Sequence, residues 1–213
     1  MKILYSDLDI AVIVKPYGVS SQNAEGENVP HLLEQNLGKE AFVVHRLDRT
    51  TGGVMVYALN PRSAAQLSKQ ITENKFKKGY LAVVNGALQE KNGTLIDLLY
   101  YDRQKNKSYV VKKERKGVKK AVLYYETLKE FEQNGATYSL LKIQLETGRT
   151  HQIRVQFASR GFPLCGDRRY GSKENFTSIS LWSHTLSFIH PKTNKPITYT
   201  AEPNEEFFKF NTD

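Results

Sequence analysis

Short apolar runs, most of them rich in β-branched residues, recur along the chain and predict many strands. Ile10 to Val14 is such a run, and the turn signal Lys15-Pro16-Tyr17-Gly18 ends it. Leu141, Ile143 and Leu145 alternate with polar neighbours, which predicts a strand with one solvent-exposed face. Further strands are predicted at residues 42–44, 54–59, 80–84, 121–128, 181–189 and 197–200.

Two segments carry helical signals instead. Asn60 and Pro61 form a helix start, with asparagine as N-cap and proline in the first turn. Residues 150–160 suit a second, short helix that Gly161 would end. Many strands and few, scattered helices predict an α+β fold with a mostly antiparallel sheet. Since no repeat, low-complexity tract or linker marks a boundary, we expect a single domain over residues 1–213.

The composition excludes several classes of protein. One cysteine, Cys165, cannot form an internal disulfide or a cysteine-based zinc site, and the five scattered histidines do not pair at metal-ligand spacing, so we expect no metal. The longest apolar run falls far short of the ~20 residues that cross a membrane, and acids near the N-terminus argue against a secretory signal. We therefore expect a soluble cytoplasmic protein. The formal net charge of +9 favours a polyanionic partner, with nucleic acid first.

The positive charge is concentrated in one segment. Nine basic residues and a single acid, Glu114, lie between Arg103 and Lys120, and the rest of the chain is close to neutral. The strand-forming residues 109–111 interrupt the run. The segment is either a solvated hairpin or loop, or an arm that contacts phosphates and supplies salt-dependent affinity.

A first polar segment, His45 to Gly53, lies between two strand-like runs and predicts a tight loop at the end of a sheet. Within it, Asp48 stands between Arg46 and Arg49. Nearby guanidinium groups favour the ionised carboxylate, which can act as a nucleophile or a general base. The alternative is a structural ion pair at a turn.

A second polar segment runs from Glu146 to Val155. Gly148 permits an unusual backbone turn there. Donors at a helix N-terminus suit phosphate, although a polar helix face would have the same composition. The donor-bearing residues of this segment are Arg149, His151, Gln152 and Arg154.

Taken together, these segments resemble the RluA-type pseudouridine synthases. The family pattern H-R-L-D-R-x-T-S-G matches residues 45–53, with Gly52 where serine is usual. The pattern T-G-R-x-H-Q-I-R matches residues 147–154, and G-x-P and G-D-x-x-Y-G follow at 161–163 and 166–171. The shorter patterns K-P-x-G, K-x-Y-x-A-x-V-x-G and F-x-H-P match residues 15–18, 78–86 and 188–191. The chain departs from the family in two further places: Gln156 replaces a common histidine, and Trp182-Ser183 replaces His-Ala.

The resemblance implies a bifurcated, mixed but mostly antiparallel β-sheet with flanking helices and a central cleft. It also implies isomerisation of specific uridines to pseudouridine in structured RNA, without cofactor or metal. Ribosomal RNA is favoured over transfer RNA as substrate, and no obligate protein partner or membrane is implied.

The resemblance also implies roles for individual residues. Asp48 is expected to be the catalytic aspartate, Tyr80 to stack on the target base, and Arg154 to pair with Asp48. Ile153 is expected to pack against the uracil, and Arg46 to fill the gap that the extruded nucleotide leaves. Further substrate contacts are expected from Arg49, Arg149, His151 and Gln152.

The family's frequent S4-type RNA-binding domain has no counterpart ahead of these motifs, so RNA affinity is expected from the catalytic domain itself. The basic segment is accordingly expected to contact RNA through Lys112, Lys113, Lys116 and Lys119.

Two other functions stay open. The chain could be a catalytically silent RNA-binding or RNA-folding protein, although Asp48, Tyr80 and Arg154 are all in place. A glycosidase-like hydrolase needs a second carboxylate, and none accompanies Asp48 in either motif. Whether the aspartate attacks covalently or removes a ribose proton also stays open.

Overall fold

Strands dominate the chain in the computed structural model, which describes residues 1–174 and 178–203. The described residues fall into two units. Within the described residues, the first unit comprises residues 1–79 and 182–203, and the second comprises residues 80–174 and 178–181. The tail from residue 204 lies outside the described residues. A single domain over 1–213 stays a prediction.

The first unit is built on a mixed sheet. Its elements are β1 (Lys2–Ser6), β2 (Ile10–Lys15), α1 (Val29–Leu37), β3 (Phe42–Val43), β4 (Gly52–Ala58), α2 (Pro61–Thr72), the start of β5 (Lys77–Asn85), β10 (Leu181–Ile189) and β11 (Pro196–Thr200). Strand β2 pairs antiparallel with β1 and β4, and β10 pairs parallel with β4 and antiparallel with β11. Helix α2 packs Leu67 onto the buried apolar residues of β2, β4 and β10. As predicted, Asn60 caps it, accepting a hydrogen bond from the backbone N–H of Ser63 at 2.8 Å.

Two strands, β3 and β10, pair with different parts of one edge of β4, and the loop of residues 44–51 begins beside this edge. Strand β2 runs along the first edge of β4. On the other edge, β10 pairs with Gly52 and Gly53, while β3 pairs with Tyr57 and Ala58. Residues 44–51 therefore leave the sheet at the end of β3 and rejoin it at Gly52, where β4 pairs with β10.

The second unit contains an antiparallel sheet and one short helix. Its elements are the rest of β5, β6 (Asn92–Asp102), β7 (Lys107–Val111), β8 (Val118–Gln133), β9 (Ala136–Leu145), α3 (Gln152–Ala158) and a single 3₁₀ turn at Arg168–Tyr170. The strand order is β5-β9-β8-β6-β7, so β7 is the edge strand. Val155 of α3 packs against Leu99 of β6 and Ala121 of β8.

The predicted α+β class with a mixed, mostly antiparallel sheet is confirmed. Two local predictions were wrong in detail. The helix predicted at 150–160 begins only at Gln152 and ends at Ala158, because His151 adopts a left-handed backbone with φ 54°. The strand predicted at 121–128 extends over Val118–Gln133. The basic segment was expected as a solvated hairpin or loop, or as a phosphate-contacting arm; its first part does form a hairpin, since β7 pairs antiparallel with the end of β6, and the contact with phosphates stays a prediction.

Within the described ranges, no helix is long and apolar enough to cross a membrane.

Candidate active site

The loop that carries Asp48 is anchored on both sides of that residue. Leu47 is buried, and its carbonyl accepts a hydrogen bond from the Ser21 hydroxyl at 2.8 Å. The N–H of Thr51 donates to the Asp48 carbonyl at 2.9 Å, which closes a turn. Asp48 itself is half-buried, whereas the flanking Arg46 and Arg49 are exposed. The loop therefore holds a carboxylate at the surface of the first unit with a defined backbone.

The buried side chain of Lys15 stabilises this loop from the interior of the first unit. Its side chain is completely buried, and Nζ donates to the carbonyls of Pro16 at 2.9 Å, Val19 at 2.8 Å and Arg49 at 3.4 Å. Burial lowers the pKa of Lys15 to about 8, while the negative charge of Asp48 opposes that shift. A buried ammonium that is satisfied by carbonyls fixes the segments that supply them. The K-P-x-G turn is thereby tied to the Asp48 loop.

Gly18 completes the connection between these two segments. Its N–H donates to the Arg49 carbonyl at 2.8 Å, and the Arg49 Nε donates back to the Gly18 carbonyl. Gly18 has φ 82°, a left-handed conformation that glycine adopts without strain. Arg49 thus has a structural role, and its predicted contact with substrate stays a prediction.

His45 belongs to the framework of the loop. It is buried where β3 and β10 leave a gap along β4, and its Nε2 accepts a hydrogen bond from the Val56 N–H at 3.2 Å. Burial, assisted by the nearby positive charge of Lys78, lowers the pKa of His45 well below its ordinary value. The ring is therefore neutral and serves as an acceptor for an otherwise unpaired strand N–H.

Two departures from the family pattern meet in space. Gly52 of β4 lies directly opposite Trp182 of β10. A Cβ atom at Gly52 would lie 2.5 Å from Cζ3 of Trp182 and 3.1 Å from Cε2 of Tyr17. The indole ring fills the space that a serine would need, so the tryptophan accounts for the glycine.

In the second unit, Gln152 organises the turn that leads into α3. Its Oε1 accepts hydrogen bonds from the Thr147 hydroxyl at 2.8 Å and from the Arg149 N–H at 3.0 Å. Its Nε2 donates to the Val122 carbonyl at 3.0 Å. Gln152 is buried, and its amide is engaged within the protein at both ends. The geometry favours a positioning role, and its predicted contact with substrate stays a prediction.

Arg154 is held in α3 by a buried ion pair. Its Nε and Nη2 donate to the two carboxylate oxygens of Asp167 at 2.6 Å and 2.9 Å, and both side chains are at most 5% exposed. The guanidinium also lies 5.1 Å from the centre of the Tyr170 ring. The bidentate pairing fixes the plane of the guanidinium, and the cation–π contact with Tyr170 adds a second restraint. Asp167 and Tyr170 are thus positioning residues that sequence reasoning quoted in the G-D-x-x-Y-G motif without giving them a role.

The remaining predicted residues of this unit are mostly buried. His151, expected on the helix with Arg154, precedes it, and its Nδ1 lies 3.0 Å from the Tyr170 hydroxyl. Tyr80 and Ile153 are 6% and 4% exposed. Asp48 belongs to the first unit, and Tyr80 and Arg154 to the second. The pairing of Arg154 with Asp48 stays a prediction.

Among the described residues, no cluster of three or more histidine, cysteine, aspartate or glutamate side chains has the arrangement of a metal site.

The family model described as RNA pseudouridylate synthase matches residues 9–159. An uncharacterized RNA pseudouridine synthase of Aquifex aeolicus is 34% identical over 228 residues, which cover 97% of this chain and 71% of that protein. The tRNA pseudouridine synthase C of Haemophilus influenzae is 33% identical, with 97% of this chain and 95% of that protein covered. A ribosomal large subunit pseudouridine synthase C of Buchnera aphidicola is 34% identical, with coverages of 97% and 68%.

Solved structures share the fold. Human RNA pseudouridylate synthase domain containing 1 superposes with a TM-score of 0.80 at 22% identity, covering 95% of this chain and 83% of that one. Together with the family match over residues 9–159, these relatives show that the chain belongs to the RluA-type family of RNA pseudouridine synthases, enzymes that isomerise uridine to pseudouridine in RNA.

Proposed function

We propose that this enzyme acts on one or more uridines of structured RNA, with large ribosomal RNA as the favoured substrate, and that Asp48 is its reacting carboxylate. The observation that carries the proposal is the anchored presentation of Asp48: the loop is fixed by Lys15, Ser21 and Gly18, yet the carboxylate is half-buried rather than enclosed.

The chemistry requires one ionised carboxylate beside the ribose. The bond from C1′ to N1 breaks, the freed uracil turns, and a new bond forms from C1′ to C5. The proton on C5 leaves to solvent, and N1 gains a proton, so the overall composition is unchanged. Asp48 would serve either by attacking C1′ or by taking a proton from the ribose.

The other site residues would bind and orient the extruded nucleotide. Tyr80 offers an aromatic face and Ile153 an apolar wall for the free uracil. Arg154, whose plane Asp167 fixes, would orient an anionic group. The exposed side chain of Arg46 would occupy the space that the target base leaves in the RNA. These roles, the absence of a cofactor and a cytoplasmic place of action stay predictions.

The test is tritium release from RNA labelled at uridine C5. The wild-type protein should release tritium, and Asp48→Asn should lower the rate by about 10²–10⁴-fold or more while RNA binding persists. Asp9→Asn is the matched control, since Asp9 is also a part-exposed aspartate of the first unit, and its carboxylate accepts hydrogen bonds from the side chains of Asn60 and Ser63. Full turnover by Asp48→Asn would exclude Asp48 as the reacting group.

The same assay identifies the substrate class. Labelled large ribosomal RNA and labelled transfer RNA are compared separately, because relatives carry names of both kinds. Release from transfer RNA alone would overturn the preference for ribosomal RNA. A wild-type protein that releases nothing from any cellular RNA would favour the catalytically silent RNA-binding alternative.

A further inference from the structure

The basic segment Arg103–Lys120, called the basic arm from here on, presents most of its charge to solvent. It comprises the turn after β6, the edge strand β7, the connection 112–117 and the first residues of β8. All nine basic side chains except Lys107 are exposed. Arg115 lies 4.8 Å from the centre of the Tyr100 ring.

The charges of the basic arm are not neutralised within the protein. In the part of the chain that the structure describes, Lys112, Lys113, Lys116 and Lys119 form no ion pair with a carboxylate. Lysines on an edge strand can simply discourage pairing with other chains. That explanation does not cover Lys112, Lys113 and Lys116, because they follow the last residue of β7.

Strand β7 attaches the basic arm to α3 and to the turns on either side of that helix. Val110 packs with Tyr170 onto the apolar cluster that includes Val155 of α3. The Ser108 N–H donates to the Tyr170 hydroxyl at 2.8 Å, and the Ser108 hydroxyl donates to the Thr150 carbonyl at 2.6 Å. The basic arm is therefore an ordered surface and not a solvated loop.

Two arginines tie down the ends of the basic arm. Arg169 Nη1 donates to the carbonyls of Lys105 at 3.1 Å and Asn106 at 2.6 Å. Arg149 Nε donates to the Lys120 carbonyl at 2.9 Å. Both arginines belong to the motifs that surround Arg154, so the basic arm is attached to the element that carries the proposed catalytic arginine.

We propose that the exposed lysines of the basic arm bind the phosphodiester backbone of the RNA substrate. This inference rests on the proposed function for the identity of the polyanion. Contacts with the RNA backbone supply affinity without reading sequence. Because Tyr170 contacts both the basic arm and Arg154, the bound RNA strand would be held at a fixed position relative to Arg154. The basic arm contributes four such contacts, from Lys112, Lys113, Lys116 and Lys119.

The test is the salt dependence of RNA binding, measured by fluorescence anisotropy with labelled bulk transfer RNA between about 50 and 200 mM salt. Each phosphate contact contributes ~0.7–0.9 to the slope of log K against log salt, so alanine at Lys112, Lys113, Lys116 and Lys119 should make the slope shallower by about 3. Affinity near 0.1 M salt should fall by at least about tenfold. Arginine at the same four positions should preserve the slope.

The matched control removes four exposed lysines from the first unit: Lys2, Lys69, Lys192 and Lys195. It changes the net charge equally, and we expect it to leave the slope within about one unit of wild type. Thermal melting of every variant verifies folding. Equal slopes for the two alanine variants would overturn the proposal.

Tritium release by the wild-type protein reports on the proposed function separately. If the wild-type protein releases tritium but the two alanine variants have equal salt slopes, only the proposal that the basic arm binds RNA is refuted. A shallower slope in a protein that releases no tritium refutes the proposed function and leaves the basic arm as an RNA-binding surface.

Discussion

Replacing Gly52 with serine, the residue that the RluA pattern carries at this position, should destabilise the protein because Trp182 already fills the space. The new Cβ would lie 2.5 Å from Cζ3 and 3.0 Å from Cε3 of the indole. The ring has little freedom to move, since Nε1 donates to the Ala201 carbonyl at 2.6 Å and the indole lies 5.8 Å from the Tyr17 ring. Overpacking of this kind costs about 1–3 kcal/mol.

A double-mutant cycle with Trp182→His tests the cause. Histidine is smaller and is usual in the family at this position. In that background, Gly52→Ser should cost no more than about 0.5 kcal/mol, which gives a coupling energy of about 0.5–3 kcal/mol between the two positions. The free energy of unfolding is measured by urea denaturation, with equal m-values required across the cycle.

Gly53→Ala is the matched control at the neighbouring position. There an added Cβ would lie 2.2 Å from the backbone oxygen of Ser183, and φ is +117°. Both obstacles are backbone features, so the cost of Gly53→Ala in free energy of unfolding should be the same with tryptophan and with histidine at position 182. If Gly52→Ser costs the same with tryptophan and with histidine at position 182, Trp182 is not what requires glycine, and the packing argument is wrong.

Two further predictions concern buried charges. Burial lowers the pKa of Lys15 from 10.5 to about 8; between these values the unfolded chain binds more protons, so the contribution of Lys15 to stability grows as pH rises. In urea unfolding, the difference in free energy between wild type and Lys15→Met should therefore shift in favour of wild type by up to about 3 kcal/mol from about pH 7 to about pH 11, and a constant difference would contradict it. Asp167→Asn should cost about 3–5 kcal/mol in the same assay because it leaves the buried Arg154 uncompensated. The exposed Glu73→Gln, also in ion pairs, should leave the midpoint unchanged, and equal effects of the two variants would refute the account of the Arg154 pair.

The elements that sequence reasoning located are those in which local signals and burial agree. Strand β4 is buried at every residue, and its apolar run is uninterrupted from Val54 to Ala58. Helix α2 combines the Asn60 cap, a proline in its first turn and an apolar face that includes the buried Leu67. Where propensity, capping and packing indicate the same structure, one sequence is enough.

The missed elements lack that agreement. Helix α1 buries only Val29, Pro30 and Leu33, too few to establish a period, although Asn28 caps it as Asn60 caps α2. In β6, which has eleven residues, only Leu95 and Leu99 are buried. Strand β6 forms because β7 and β8 supply its hydrogen bonds, and no local pattern records those neighbours.

The candidate site shows the same limit. The motifs identified Arg154 and quoted Asp167, yet their sequence separation of thirteen positions corresponds to no helical or strand period. Their pairing arises because the chain turns back after α3 and places a carboxylate against the buried face of the helix. An unpaired guanidinium at that depth would be costly, so the pair had to exist in some form once α3 was buried. Sequence could therefore require a partner for Arg154, but only the fold could select Asp167, and the orientation of the proposed catalytic arginine follows from that selection.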